Sequence, residues 1–209
     1  MALSEEGHLA LRSDPRITLF VVDPSPLITL AAANSLDYLL YVEGADLVIP
    51  HAVLYEATHD ASRLGAADIL AWVKANRRRI EVAPTNTYLI VVTARSVNPN
   101  LREADLGEKA AVEVIEEPGR LEGSERGVLL CEETSVLKRA TVRDKERIVE
   151  LSTMDFLGIL EAEQRIQSAA AVFEMAIAAG RTPSTVEKLA KHEAMVQETI
   201  HQLLRRPGD

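Results

Sequence analysis

The sequence predicts an α/β fold: three layers, α/β/α, around a mainly parallel central sheet, with a C-terminal helical extension. Three observations predict it. Short apolar runs recur over residues 17–153, with stretches of helical spacing between them. The runs are continuously apolar, as strands covered on both faces by helices are. Beyond residue 153 the strand pattern stops and only helical spacing continues.

The elements follow in order. Residues 1–16 form a polar N-terminal segment. "ITLFVV" (Ile17–Val22) is the first strand, β-branched and apolar throughout. Leu27, Leu30, Ala31 and Asn34 then fall at helical spacing in a segment that Gly44 closes. "ADLVIP" (Ala45–Pro50) is the second strand, and "HAVLYEATHDA" a helix entered just after Pro50. Gly65–Arg79 is an amphipathic helix with Ile69, Leu70, Trp72 and Val73 as its apolar core; its basic end suits a helix C-terminus. "IEVAP" (Ile80–Pro84) is the third strand. "TYLIVVTARSV" (Thr87–Val97) fits either a strand or a helix. A loop, "NPNLREADLG", leads to a helix over Glu108–Glu117. Gly127–Glu133 is the fourth strand, residues 134–142 a helix, and Arg147–Thr153 the fifth strand. From Met154 the chain reads as helix with one break at Ala179–Thr185, where Thr182 or Ser184 can cap the last helix and Pro183 lies near its first turn. The organisation is therefore 1–16, an α/β domain over 17–164, and a helical extension over 165–209.

Composition bounds the function. At 209 residues the chain can bury a sizeable core. Aromatic residues are 4% of it, which argues against rows of stacking platforms for single-stranded nucleic acid. The net charge of −9 argues against binding nucleic acid through overall charge, yet suits a protein that holds cations with carboxylates. A single cysteine, Cys131, rules out a disulfide framework within the chain and points to a reducing compartment. The opening residues lack a secretory pattern, and no apolar run approaches the ~18 residues a membrane span needs. A soluble, cytoplasmic protein with no membrane association is expected.

In open α/β sheets, sites form at the carboxyl ends of the strands. Acids collect at those positions here. Asp23 follows the first strand, Glu56 lies in the first turns of the helix after the second, Glu108 opens a helix, and Glu132 and Glu133 follow the fourth strand. Each has a plain alternative: Asp23, Glu108, Glu132 and Glu133 as helix-terminal acids, Glu56 as a solvated helix residue. Converging at roughly 4–6 Å, such acids raise one another's pKa unless a cation neutralises them. Oxygen donors without cysteine or histidine partners suit Mg²⁺ or Mn²⁺ rather than zinc. The five histidines show no zinc-binding spacing. GxGxxG, Walker A and GxSxG motifs are absent. A haloacid-dehalogenase-like phosphatase would carry an Asp where Ser25 stands. A receiver domain would need an acidic pair before its phospho-acceptor strand, which "RSDPRITLF" does not clearly supply.

Taken together and in order, five stretches resemble the PIN-domain family, in the branch similar to the VapC-type toxins of toxin–antitoxin pairs. They are "VVDPSPLITLAAANSLDYL", "LVIPHAVLYEATHD", "ADLGEKAAVEVI", "GVLLCEETSVLKRATV" and "RIVELSTMDFLGILEAE". The resemblance spans about residues 17–164 and implies a PIN-like fold and a Mg²⁺- or Mn²⁺-dependent endoribonuclease. Asp23 matches the family's first metal ligand, Ser25 its small polar support, Glu56 the second acid and Glu108 the first acid of the third block. Many relatives carry another acid where this chain has Ala110; Glu108 or Glu113 is then the residue to compensate. Glu132 and Glu133 stand where aspartates are usual. The implied catalytic set is Asp23, Ser25, Glu56, Glu108, Glu132 and Glu133, and the implied metal ligands are Asp23, Glu108, Glu132 and Glu133. Positive charge for the RNA strand would come from Arg77, Arg78, Arg79, Lys138 or Arg139.

Two other readings stand beside the ribonuclease. One is a catalytically weakened PIN-like protein that binds protein or RNA. The other is a phosphatase-like α/β hydrolase, against which Ser25 counts. Expected partners are RNA, a small antitoxin-like protein and a second copy of the chain. The apolar positions Met175, Ile177, Leu189, Met195, Val196, Ile200, Leu203 and Leu204 need cover, either from the same domain or from such a partner.

Overall fold

Five parallel strands form the centre of the molecule, in the order β3-β2-β1-β4-β5. The computed structural model describes residues 16–98, 101, 105–132 and 145–182. The strands are β1 (Ile17–Val22), β2 (Asp46–Pro50), β3 (Ile80–Ala83), β4 (Arg126–Leu130) and β5 (Ile148–Leu151). The helices are α1 (Pro24–Ala32), α2 (His51–Thr58), α3 (Ala66–Ala75), α4 (Asn86–Val97), α5 (Leu106–Ile115), α6 (Thr153–Ala162) and α7 (Ala169–Ala178). The expected three-layer α/β/α architecture is observed, and every strand pairing is parallel.

Alternation along the strands divides the core in two. Phe20, Val22, Leu47, Ile49, Val128 and Leu130 face one side, where α1, α3, α6 and α7 cover them. Leu19, Val21, Val48, Leu129 and Cys131 face the other, beneath Ala111, Val114 and Ile115 of α5. Both faces of β1 are thus dry, which explains its continuous apolar sequence. Phe20 meets Phe156 of α6 with ring centroids 5.5 Å apart. Ile166, Ala169, Val172 and Phe173 join the same core, so α7 packs on the face that α1 also covers.

Several elements differ from the sequence expectation. The helix after β1 does not run to Gly44: it stops at Ala32, and a 3₁₀ turn follows over Leu36–Tyr41. Asn34 takes φ +51°, and the Ser35 N–H donates to the Leu30 C=O at 2.8 Å. This left-handed stop is one that Asn tolerates. The helical stretch after β5 breaks once more than expected. Gln164 takes φ +58°, the Arg165 N–H donates to the Leu160 C=O at 2.8 Å, and Ser168 caps α7 through the Ala171 N–H. Thr87–Val97 resolves as helix, with Thr85 capping it through the Tyr88 N–H. Leu70, expected in the core, is 48% exposed. The helix over 134–142, residues 1–15 and the last helix lie outside the described residues, as do Glu133, Lys138, Arg139, Leu189, Met195, Val196, Ile200, Leu203 and Leu204.

Neighbours on α3 separate burial from composition. Ile69→Ala should cost about 2–5 kcal/mol of unfolding free energy. Leu70→Ala should stay within about 0.5 kcal/mol. Denaturant unfolding of the two variants checks the contrast.

Candidate active site

Parallel strands point all their carboxyl ends at one edge of the sheet, and ligands bind there beside the point where strand order reverses. In this sheet the reversal lies between β1 and β4. The ladder continues past the end of β1: the Asp23 N–H donates to the Leu130 C=O at 2.9 Å. The Cys131 N–H in turn donates to the Leu151 C=O at 2.9 Å. Asp23 and Glu132 therefore leave the sheet at adjacent positions.

A cavity of about 140 Å³ opens at this point. Five carboxylates line it, those of Asp23, Glu56, Asp105, Glu108 and Glu132, and Pro24, Ser25 and Gly107 complete its wall. Asp23, Ser25, Glu56, Glu108 and Glu132, each picked out from the sequence, are thus gathered at one place. Glu133 lies outside the described residues. Asp105 was missed. It precedes α5 in the left-handed region, at φ 57°, and its side chain makes no capping hydrogen bond. Its signal was an acid at a helix start within "ADLGE", two residues before the Gly-Glu pair.

Asp23 is the most perturbed of the described carboxyls. Burial, and then the negative charges of Glu108, Glu56 and Glu132, push its pKa up to about 8. The Ser25 N–H pulls the other way, as the smallest contribution, but falls short of a capping hydrogen bond. The local sequence explains why capping is weak. An N-cap side chain reaches the second or third N–H of its helix. Pro24 and Pro26 occupy the first and third positions and have no N–H, so only Ser25 can donate. Capping alone does not account for Asp23.

Glu132 is held differently. Thr153 Oγ1 donates to its Oε1 at 2.7 Å and Thr29 Oγ1 donates to the same atom at 3.2 Å. Its Oε2 is buried and has no hydrogen-bond partner among the described residues. Burial raises its pKa, opposed by the Thr153 hydroxyl, the Arg181 charge and the Thr29 hydroxyl. Arg181 carried no signal in the sequence. It sits three residues beyond Ala178, the last helical residue of α7, within a polar "GRT". Cys131, next to Glu132, has its thiol pushed well up, first by burial and then by the surrounding acids. It is therefore a protonated, buried thiol at neutral pH.

The Gly-Glu start of α5 has a steric reason. The Gly107 N–H donates to Glu56 Oε2 at 3.2 Å. A Cβ at this position would lie 2.8 Å from Pro24 Cγ and 3.1 Å from Glu56 Oε2. Glycine lets α1, α2 and α5 converge, and that convergence brings Glu56 and Glu108 to Asp23. Ala110 points elsewhere: it is fully buried in an apolar cluster with Ala52, Val91 and Leu106, against which Tyr88 packs. Glu113 does not compensate for it. Its carboxylate accepts from the Asn86 N–H at 2.6 Å, the Thr87 N–H at 2.9 Å and Thr87 Oγ1 at 2.7 Å, so it tethers the start of α4. Arg77, Arg78 and Arg79 precede β3 and so lie toward the amino ends of the strands, away from the cavity; Arg79 donates to the Leu40 C=O there. Among the described residues, no three of His, Cys, Asp or Glu stand together as a ready-made metal cage. No helix among them is long and apolar enough to cross a membrane.

Fold and cavity together define a parallel α/β protein with an acid-lined pocket at its switch point. No family model matches the chain, and neither a curated protein nor a solved structure matches it at a significant level.

The raised pKa of Asp23 has a consequence for stability. A carboxyl whose folded pKa lies above its ordinary 3.8 binds its proton more tightly when folded. Its contribution is full below about pH 4 and is lost as pH rises through about 8. Asp23→Asn, which keeps the shape without the charge, should gain stability on the wild type steadily across that window. At pH 8 it should be ahead by at least about 1.4 kcal/mol, the equivalent of one pKa unit. Denaturant unfolding of both proteins as a function of pH measures the difference; parallel profiles would refute a perturbed Asp23.

Proposed function

We propose that the chain is a Mg²⁺- or Mn²⁺-dependent endoribonuclease of the PIN type that hydrolyses RNA phosphodiesters at this cavity. The observation that carries the reading is the gathering of five carboxylates at the switch point around a half-buried Asp23. Burial of so much like charge is unfavourable, and a bound cation relieves it.

The residues present suit a hard divalent ion. Every side-chain donor in the wall is an oxygen, and the buried Oε2 of Glu132 has no hydrogen-bond partner among the described residues. Asp23, Glu108 and Glu132 would hold the ion. A bound divalent ion supplies Lewis acidity, lowering the pKa of a water and offsetting charge that develops on phosphate and leaving oxygen. The protein's own part is positional and protonic. Asp23 keeps a proton on its carboxyl near neutral pH and releases it when a cation binds. Glu56 is fixed by the Gly107 N–H at the cavity wall. Ser25 shapes the wall beside Asp23, and Asp105 adds a further carboxylate to it.

A second reading has its own observation. Ala110 is buried in an apolar cluster where an acid would be out of place, which favours a catalytically weakened PIN-like protein that binds protein or RNA. A toxin role, with a small antitoxin-like partner or a second copy of the chain, draws support from α4. There Leu89, Ile90 and Val97 are 58%, 67% and 86% exposed, an apolar surface of the kind partners cover.

The test is cleavage of a panel of labelled RNAs in Mn²⁺ by the wild type, Asp23→Asn and Glu132→Gln. Wild-type cleavage should be abolished by chelation, and each variant should lose about 100-fold or more. Mn²⁺ binding without cleavage of any RNA would favour the binding module. Neither binding nor cleavage would overturn the metal-dependent enzyme.

A further inference from the structure

Arg181 reaches Thr29 and Ser25, beside the cavity, from the end of α7. The helix stops in a left-handed turn: Gly180 takes φ +110°, its N–H donates to the Ile177 C=O at 2.9 Å, and the Arg181 N–H donates to the Ala176 C=O at 3.0 Å. This paired hydrogen-bond stop favours glycine, and it fixes where the Arg181 side chain starts. α7 packs on α1, so the guanidinium lands on the first turns of α1.

There it makes two hydrogen bonds. Nε donates to Thr29 Oγ1 at 3.0 Å, and Nη2 donates to the Ser25 C=O at 3.3 Å. Thr29 donates onward to Glu132 Oε1 at 3.2 Å. The path from cation to carboxylate thus runs through a buried threonine hydroxyl.

A hydroxyl has one proton, and Thr29 has a competing use for it. A threonine inside a helix commonly donates to the carbonyl four residues back. For Thr29 that is Ser25, the carbonyl Arg181 occupies. Arg181 also fills an acceptor position on Thr29 Oγ1 itself. Both effects leave Glu132 as the place for the Thr29 proton. We propose that Arg181 is a positioning residue that sets the direction of this relay, committing the Thr29 hydroxyl to Glu132 and so fixing the carboxylate whose Oε2 has no partner among the described residues. The relay belongs to the cation-free chain; only its effect on cation binding rests on the function proposed above.

Two measurements on the full chain test it. The first is denaturant unfolding without divalent ions, as a double-mutant cycle between Arg181→Gln and Glu132→Gln, run with Thr29 intact and again in a Thr29→Val background. The expected coupling is about fivefold in the unfolding constant with Thr29 present, falling to within about twofold of none without it. Arg181→Lys keeps the charge but lacks the planar fork, and should lose the coupling as Arg181→Gln does. Equal coupling in both backgrounds, or full coupling with lysine, would show that charge alone acts and would overturn the relay. The second is Mn²⁺ affinity by titration calorimetry. Arg181→Gln and Thr29→Val should each weaken binding about tenfold, as loss of a partner behind a metal ligand does, and the double variant should be no weaker than Thr29→Val. Tighter binding by Arg181→Gln, the result of removing a nearby positive charge, would also overturn it. A wild type that binds no Mn²⁺ would remove the proposed function, while the unfolding cycle would still decide the relay.

Discussion

The hydrogen-bond ladder between β1 and β4 continues one residue past the strand, through the Asp23 N–H to the Leu130 C=O. That bond places a carboxylate at the reversal of strand order, with Glu132 two residues past the end of β4. Everything else at the cavity is arranged around the resulting charge. Gly107 lets α5 approach α1 closely, which brings in Glu108 and seats Glu56. Ala110 and Glu113, on the same helix, are turned to packing and to the start of α4. One helix therefore supplies both the acid edge and the apolar support behind it.

Two acids of the cavity are treated in contrasting ways. Asp23 has two prolines beside it and a single available N–H, so its charge is poorly compensated and its carboxyl holds a proton. Glu132 has two hydroxyl donors on one oxygen and, through Thr29, a guanidinium. Carboxyls whose surroundings differ in this way divide labour, one able to release a proton and the other held in place. The Arg181 guanidinium that bonds Thr29 comes from beyond α7, which ties the helices after β5 to the site as well as to the core.

How much of this was legible depended on the kind of signal. The strands were readable because burial on both faces leaves uninterrupted apolar runs, and Ile17–Val22 appears with the bounds its sequence suggests. Glycine marked a helix end at Gly180 but not at Gly44, since the helix before it stops at Ala32. α1, α6 and α7 all end in the same left-handed stop, at Asn34, Gln164 and Gly180, and only the one at glycine was anticipated. Asn and Gln lack glycine's freedom at positive φ, so their stops depend on surrounding packing, which a linear pattern does not show. Leu70 failed for a related reason: helical spacing defines a face but not its edge, and Leu70 lies outside the strip that the sheet covers.

The sequence by itself determined the layer order, the parallel sheet and the carboxylates that follow its strands, because each follows from local periodicity and from the geometry of parallel connections. Only the tertiary structure decided which acids share a cavity, that Asp105 joins them, and that Glu113 and the Arg77–Arg79 run do not. It also decided that Arg181, 152 positions from Thr29, donates to its hydroxyl. Those relations depend on angles between helices and on which rotamer a buried side chain can reach. Packing of the whole core sets both.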